Sequence, residues 1–124
     1  MKTTKQLIII LISLIILTGC GEFSEKIQQL QENANKQFGD QHFKTAIAFI
    51  ELHKIRTGQY PESMDSIKYT GEWDILIKMS VRYEKVDSGY NLDLINGWIG
   101  RPKSLKYPDD FWKGLGLRKS NLKN

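Results

Sequence analysis

Eleven residues, LIIILISLIIL from Leu7 to Leu17, contain a single polar side chain, Ser13, and they decide how much of this chain is left to fold. Lys2 and Lys5 precede the run, and the small residues Thr18 and Gly19 lead from it into Cys20, the only cysteine in the chain. A basic start, an apolar stretch of roughly 7–15 residues and small residues at its end form the layout of a secretory signal peptide. The competing reading is a membrane-spanning helix. At 1.5 Å per residue the run rises only about 16 Å, and extension to Gly21 gives about 22 Å, against a hydrocarbon core of roughly 30 Å. Spanning fails on length, so residues 1–19 read as a cleaved address.

Leu17-Thr18-Gly19-Cys20 resembles the lipobox of bacterial lipoproteins, with Leu at −3, a small polar residue at −2, Gly at −1 and Cys at +1. The resemblance implies cleavage between Gly19 and Cys20, thioether attachment of diacylglycerol to Cys20 and acylation of the new amine. The residue types suit that chemistry. A thiolate is a good nucleophile near neutral pH, and small residues before it let a membrane protease reach the bond. Two or more acyl chains, at about 0.8 kcal/mol per buried CH₂, are enough for stable anchoring. The expected location is the bacterial cell envelope, with the membrane as a partner through the lipid on Cys20. Gly21 stands where Asp would resemble an inner-membrane retention signal, so the outer membrane is favoured in a Gram-negative cell.

Residues 20–124 remain, enough for one small domain. Loss of Lys2 and Lys5 lowers the net charge of +4 to +2. Residues 22–95 hold nine Lys and Arg against twelve Asp and Glu, whereas residues 96–124 hold seven against two. A basic C-terminal part is either drawn to anionic lipid or acidic partners, or simply solvated. RKSNLKN, 118–124, has one apolar residue and reads as a basic flexible tail. With Cys20 acylated no disulfide can form, and the exported domain must fold on its apolar core.

Phe23, Ile27, Leu30, Ala34 and Phe38, spaced 4, 3, 4 and 4, mark one narrow apolar stripe on a helix that Ser24 suits as N-cap. Residues 20–39 therefore read as a lipid-anchored helical spacer, and 40–117 as the α+β domain. Gly39-Asp40 either interrupts the helix or is tolerated within it at about 1 kcal/mol. Beyond it, Phe43, Ala46, Ile47 and Ile50 share a face, while Ala48, Leu52 and Ile55 fall opposite with Phe49 between. A helix apolar on most sides predicts enclosure by other structure. Lys54 and Arg56 suit its C-terminal dipole, and Gly58 the position just past its end. Pro61 ends that helix and allows a short one over 62–67. Ile77, Met79, Val81 and Tyr83 alternate within 74–86; Asp87-Ser88-Gly89 follows, then Tyr90, Leu92 and Leu94. That pattern predicts a β-hairpin. Asn96-Gly97 is a second turn signal, with Trp98-Ile99 opening a third strand that Pro102 ends. Pro108-Asp109-Asp110 before Phe111-Trp112 opens a last helical turn closed at Gly114. The fold class expected is α+β, a long N-terminal helix packed on a small antiparallel β-meander.

FIELHKIRTGQYPESMDSI, 49–67, resembles the soluble part of type IV pilin-like proteins, especially the major pseudopilins of type II secretion. There too a long helix ends in Gly-x-Tyr-Pro before a small antiparallel sheet, so the resemblance implies a pilin-like fold. This chain departs from that family at its start. Prepilins keep their apolar helix after a Gly-Phe-type site and assemble filaments through it, whereas a lipobox discards it.

The sequence holds no catalytic constellation. His42 and His53, the only histidines, lie eleven residues apart and roughly 16 Å along one helix, too far to share a metal with ligand bonds near 2 Å. They read as satisfied helix histidines, and no cofactor or metal is expected. Carboxylates occur in pairs at Glu62/Asp65, Glu72/Asp74 and Asp109/Asp110, but nothing in their surroundings signals the raised pKa that acid-base hydrolysis requires. Gly97-Trp98-Ile99-Gly100 lacks the lysine and length of a phosphate loop. Arg101, Lys103, Lys106, Trp112 and Lys113, with Tyr107 and Phe111 among them, form a candidate partner or surface contact that could stack sugars or bases. The alternative is an aromatic core with lysines on its rim. Nucleic acid is not expected at an envelope location. The reading that results is a non-enzymatic envelope lipoprotein whose domain contacts a protein or an envelope polymer. Two alternatives stand beside it: an immunity or inhibitor lipoprotein against a periplasmic toxin or hydrolase, and a pilin-like accessory component of a secretion system.

Overall fold

A computed structural model describes residues 2–124, except the side chains of residues 2 and 11–20. Leu17, Thr18, Gly19 and Cys20, the lipobox positions, therefore lie outside the described side chains. The chain divides into two compact units between Gln31 and Glu32. Helix α1 spans Lys2–Thr57. In the first unit every residue from Gly21 to Gln31 is exposed, including Phe23, Ile27 and Leu30 of the apolar stripe. Ser24 lies inside the helix and caps nothing.

The second unit, Glu32–Asn124, is an α+β domain. Phe43, Ala46 and Ile50 are fully buried on α1, against Tyr90, Leu92 and Leu94 of the hairpin. Gly39 continues the helix because the chain needs its missing side chain there. A Cβ would stand 2.9 Å from Leu94 Cδ2 and 3.2 Å from Pro102 Cγ. The helix stops at Gly58, whose φ of 83° only glycine adopts freely, with Gly58 N donating to Lys54 O at 2.8 Å. Ile55 is 79 % exposed and Ala48 is also exposed, so the helix is covered on one side rather than enclosed. One hairpin is too little structure to wrap it.

A 3₁₀ turn at Met64–Ser66 replaces the short helix expected over 62–67, with Met64 and Ile67 buried. Asp74–Leu76 is a second 3₁₀ turn leading into α2, Ile77–Ser80. The alternation of Ile77 and Met79 with Val81 and Tyr83 therefore crosses a boundary: only the last two lie on a strand. Ile77 and Ser80, three apart, share the buried side of the turn, and Met79 faces solvent. Asp74 Oδ2 accepts from Gly71 N at 2.7 Å and starts this turn.

Strands β1, Val81–Val86, and β2, Gly89–Leu94, pair antiparallel from Val81↔Leu94 to Val86↔Gly89. Trp98-Ile99 forms no third strand. The free edge of β2 is taken instead by the C-terminal segment, running parallel. Tyr90 N donates to Gly116 O, Arg118 N to Tyr90 O and Leu92 N to Lys119 O, at 3.0, 2.7 and 3.0 Å. Asn121 then completes the edge with its side chain, Oδ1 accepting from Leu94 N and Nδ2 donating to Leu94 O, both at 2.9 Å. Leu122, 3 % exposed, is part of the core. Residues 118–124, expected as a flexible tail, are thus docked: one amide copies a strand's hydrogen bonds and one leucine supplies the burial. The antiparallel pairing expected is present in two strands, and a parallel C-terminal neighbour stands where a third antiparallel strand was expected.

Glu51 joins α1 to β2, to the C-terminal segment and to the turn after Gly58. Its Oε1 accepts from Tyr90 Oη and Gly116 N, each at 2.9 Å, and its Oε2 from Tyr60 Oη at 3.1 Å. Burial, then the Glu51 charge, pushes the Tyr90 phenol well above its ordinary range.

Candidate interaction surface

Two residues expected to be spacer, Glu32 and Asn35, organise a loop more than sixty residues away. Asn35 Oδ1 accepts from three consecutive backbone N–H groups, Trp98, Ile99 and Gly100, at 3.0, 2.8 and 3.3 Å. One turn earlier, Glu32 Oε1 accepts from Lys103 N at 2.9 Å and from Ser104 N and Oγ at 3.4 and 3.3 Å. Successive N–H groups that converge on one point favour an acceptor with partial negative charge. Gly97 lets the loop lie this close, since a Cβ there would stand 2.9 Å from Asn35 Cα and run into its carbonyl oxygen. The sequence signal was the Asn96-Gly97 turn; nothing in the sequence showed what would hold it.

The clamp fixes Trp98 and Ile99 outward, 59 % and 60 % exposed. Trp98 lies beside Phe38, ring centroids 6.2 Å apart, and Phe38 in turn beside His42 at 6.2 Å. His42 Nδ1 bonds Ser80 Oγ at 2.7 Å, which ties α1 to α2, and burial lowers the imidazole pKa. Ser80 O accepts from Ile95 N at 2.8 Å and Asn96 N at 3.1 Å, which brings the end of β2 to the same place. Leu76, Met79 and Ile95 are exposed on these segments. Phe38 and Trp98 are thus exposed side by side, while Trp73, Ile75, Leu76 and Met79 are exposed on the turn leading into α2 and on α2 itself.

Of the residues expected to make a contact surface, Arg101, Lys103, Lys106 and Lys113 are exposed and Trp112 is not. Trp112 is corrected to a core residue, 6 % exposed, edge-on to Phe43, Tyr107 and Phe111 at 6.1, 5.7 and 4.9 Å. Asp40 accepts from Tyr107 Oη at 2.8 Å and, after burial, is what drives that phenol's pKa upward. The 3₁₀ turn Asp109–Trp112 swings the indole inward. Lys123 lies 5.9 Å over the Trp112 ring and Lys44 lies 5.6 Å over the Tyr107 ring. Lys113 pairs with Asp110 at 2.6 Å, Lys106 Nζ donates to Asn121 O at 3.0 Å, and Arg101 and Lys103 are exposed. Aromatic core with lysine rim is the arrangement that forms.

Several of the paired carboxylates are engaged in ion pairs or a turn. Glu62 pairs with Lys85, Asp65 with Lys78 at 2.7 Å, and Asp74 is spent on Gly71. Among the described residues no three His, Cys, Asp or Glu side chains come together to hold a metal ion, and no helix is long and apolar enough to cross a membrane. A cleft of about 260 Å³ is lined by Phe49, Leu52, His53, Arg56, Thr57, Ser66, Ile67 and Lys68, with no carboxylate among them. Comparison of the chain with protein families, with curated proteins and with solved structures finds no match.

Proposed function

We propose that this chain is a lipid-anchored lipoprotein of the bacterial cell envelope, and that its small α+β domain is non-catalytic and works by contact with a protein or an envelope polymer. The observation that carries the reading is Leu17-Thr18-Gly19-Cys20 at the end of an eleven-residue apolar run that follows Lys2 and Lys5. In that setting Cys20 receives diacylglycerol, cleavage falls between Gly19 and Cys20, and the domain hangs from the membrane by its new N-terminus. The outer membrane is its place in a Gram-negative cell. The contact role is supported by what the domain offers: large apolar side chains held outward by a clamped loop, and carboxylates engaged in surface ion pairs.

The finer fold reading is that the domain is pilin-like. It is favoured by the helix stop at Gly58 followed by Tyr60-Pro61, with Pro61 O accepting from Tyr83 Oη at 2.6 Å and so joining the turn to the hairpin. Loss of the apolar helix at cleavage leaves such a domain without the filament-packing segment. The test is the intact mass of the protein extracted from membranes. Loss of residues 1–19 with a lipid-sized increment is expected, and Cys20→Ala abolishes both. An unmodified full-length mass overturns the anchoring.

A further inference from the structure

We propose that the outer edge of β1 pairs antiparallel with the same edge of a second copy of this chain, in the register that sets Tyr83 opposite Tyr83. The inference concerns the folded domain and stands whether or not Cys20 carries lipid.

The hydrogen bonds of β2 show that this edge is bare. Tyr90, Leu92 and Leu94 turn their main-chain groups to the C-terminal segment and the Asn121 amide. Alternation along the strand leaves Gly89, Asn91 and Asp93 to bond β1, through their partners Val86, Glu84 and Arg82. Val81, Tyr83 and Lys85 therefore point their main-chain groups away from β2. Val81 N donates to Ile77 O as α2 ends. No described residue bonds the N–H or C=O of Tyr83 and Lys85, or the C=O of Val81.

The neighbouring turn touches this strand only through side chains. Tyr83 Oη donates to Pro61 O at 2.6 Å, and Lys85 pairs with Glu62. An open cleft of about 570 Å³ follows the strand past Glu62, Tyr83, Glu84, Lys85, Val86 and Asp87. Arg82 and Met79 are exposed at the other end. Unpaired main-chain groups in a row on a sheet edge are a template for a further strand.

Charge selects both the register and the occupant. Arg82 and Glu84 are exposed on either side of Tyr83. With Tyr83 opposite Tyr83, those two residues exchange N–H···O bonds, and each Lys85 N–H reaches Val81 O of the other copy. Arg82 of each copy then faces Glu84 of the other, in the non-hydrogen-bonded pairs where side chains come closest. A slip of two residues either way sets Arg82 against Arg82 or Glu84 against Glu84, and like charges directly opposite are destabilising. Arg82 is available for such a pair: its side chain has no hydrogen-bond or ion-pair partner among the described residues. Glu84 Oε2 accepts from Asn91 Nδ2 at 3.2 Å, which leaves its other oxygen open. Charges on an edge ordinarily discourage pairing, but the order Arg-Tyr-Glu makes this edge complementary to itself.

Other occupants fit less well. A strand of another protein would have to bring acid and base in the reverse order, which a second copy supplies by two-fold symmetry. A bilayer offers its hydrocarbon to N–H and C=O groups that need partners. Arg82 and Glu84 also cancel in charge, so the strand's exposed side has no basic excess to draw it to anionic head groups.

The test uses the full chain in detergent micelles, with amide hydrogen exchange read at Tyr83 and Lys85. Concentrating the chain is expected to raise the protection of both amides about tenfold. Tyr90 and Leu92, bonded within the domain, report in the same spectra that it stays folded. Arg82→Glu alone and Glu84→Arg alone should each lose the gain, since each sets like charges opposite one another. An equimolar mixture of the two variants should regain it, because every opposed pair is again of opposite sign. The proposal is overturned by no gain on concentration, by a gain undiminished in the single variants, by a loss that the mixture does not restore, or by a gain seen only when envelope extract is added.

Discussion

Asn35→Ala removes the one acceptor that three backbone N–H groups share, and the consequence can be worked from the contacts. The bonds from Trp98 and Ile99 at 3.0 and 2.8 Å are well formed, and the one from Gly100 at 3.3 Å is weaker. A neutral hydrogen bond contributes about 0.5–1.5 kcal/mol net, and water can reach the exposed donors once the amide is gone, so no full desolvation penalty is added. The expected loss is about 2 kcal/mol, confined to a loop that can open while the core stays folded. Asn35→Asp keeps the accepting oxygen and adds charge, and charge-assisted bonds are the stronger kind. It should match or exceed the parent. Amide hydrogen exchange of the full chain in detergent micelles reads this directly: residues 98–100 should lose about thirtyfold in protection in the alanine variant, while Tyr90 and Leu92 do not change. Equal loss in the alanine and aspartate variants would refute the reasoning, because steric support rather than the acceptor would then hold the loop.

Gly97→Ala should open the same loop from the other side, costing about 1–3 kcal/mol through the clash with the Asn35 backbone, measured as a lower urea midpoint with unchanged slope. Deletion of 118–124 removes buried Leu122 and the Asn121 amide and should cost at least about 3 kcal/mol. Lys119→Ala, at an exposed side chain, should stay within about 0.5 kcal/mol; a truncated chain as stable as the parent would mean the tail is not docked. Alkali should destabilise the domain in a defined window. Burial, then nearby carboxylates, raises the Tyr69 and Tyr83 phenols from 10.0 to about 12, so the unfolded chain releases those protons first. Their contribution is intact below pH 10 and lost as the pH rises towards 12, which the urea midpoint and phenolate absorbance should follow together.

Local signals in the sequence settled what local chemistry controls. The stop at Gly58 was legible because a left-handed residue after a basic last turn admits few alternatives. The hairpin was legible from Tyr90, Leu92 and Leu94, whose alternation matches the pleat, and so was the face of Phe43, Ala46 and Ile50. The same kind of pattern misled at Ile77 and Met79, since period two and a short helical turn cannot be told apart over four residues. Trp98-Ile99 looked like a strand because exposed aromatic and β-branched residues carry that propensity whether or not a neighbour pairs with them. Trp112 and the surrounding lysines could be core or surface, and only the inward swing of Asp109–Trp112 chose between them.

The sequence by itself determined the apolar run, its length against a bilayer, the residues leading into the lone Cys20 and the α+β composition. Each of these depends on neighbours in the chain. Tertiary structure decided that Glu32 and Asn35 belong to the domain, that the C-terminal segment completes the sheet, and that Trp98 is held beside Phe38. Those outcomes rest on hydrogen bonds between residues up to seventy-two positions apart, Glu32 with Ser104 the longest named here. No periodicity encodes such a pairing, because a backbone N–H carries no side-chain identity and its acceptor is chosen only when the chain closes on itself.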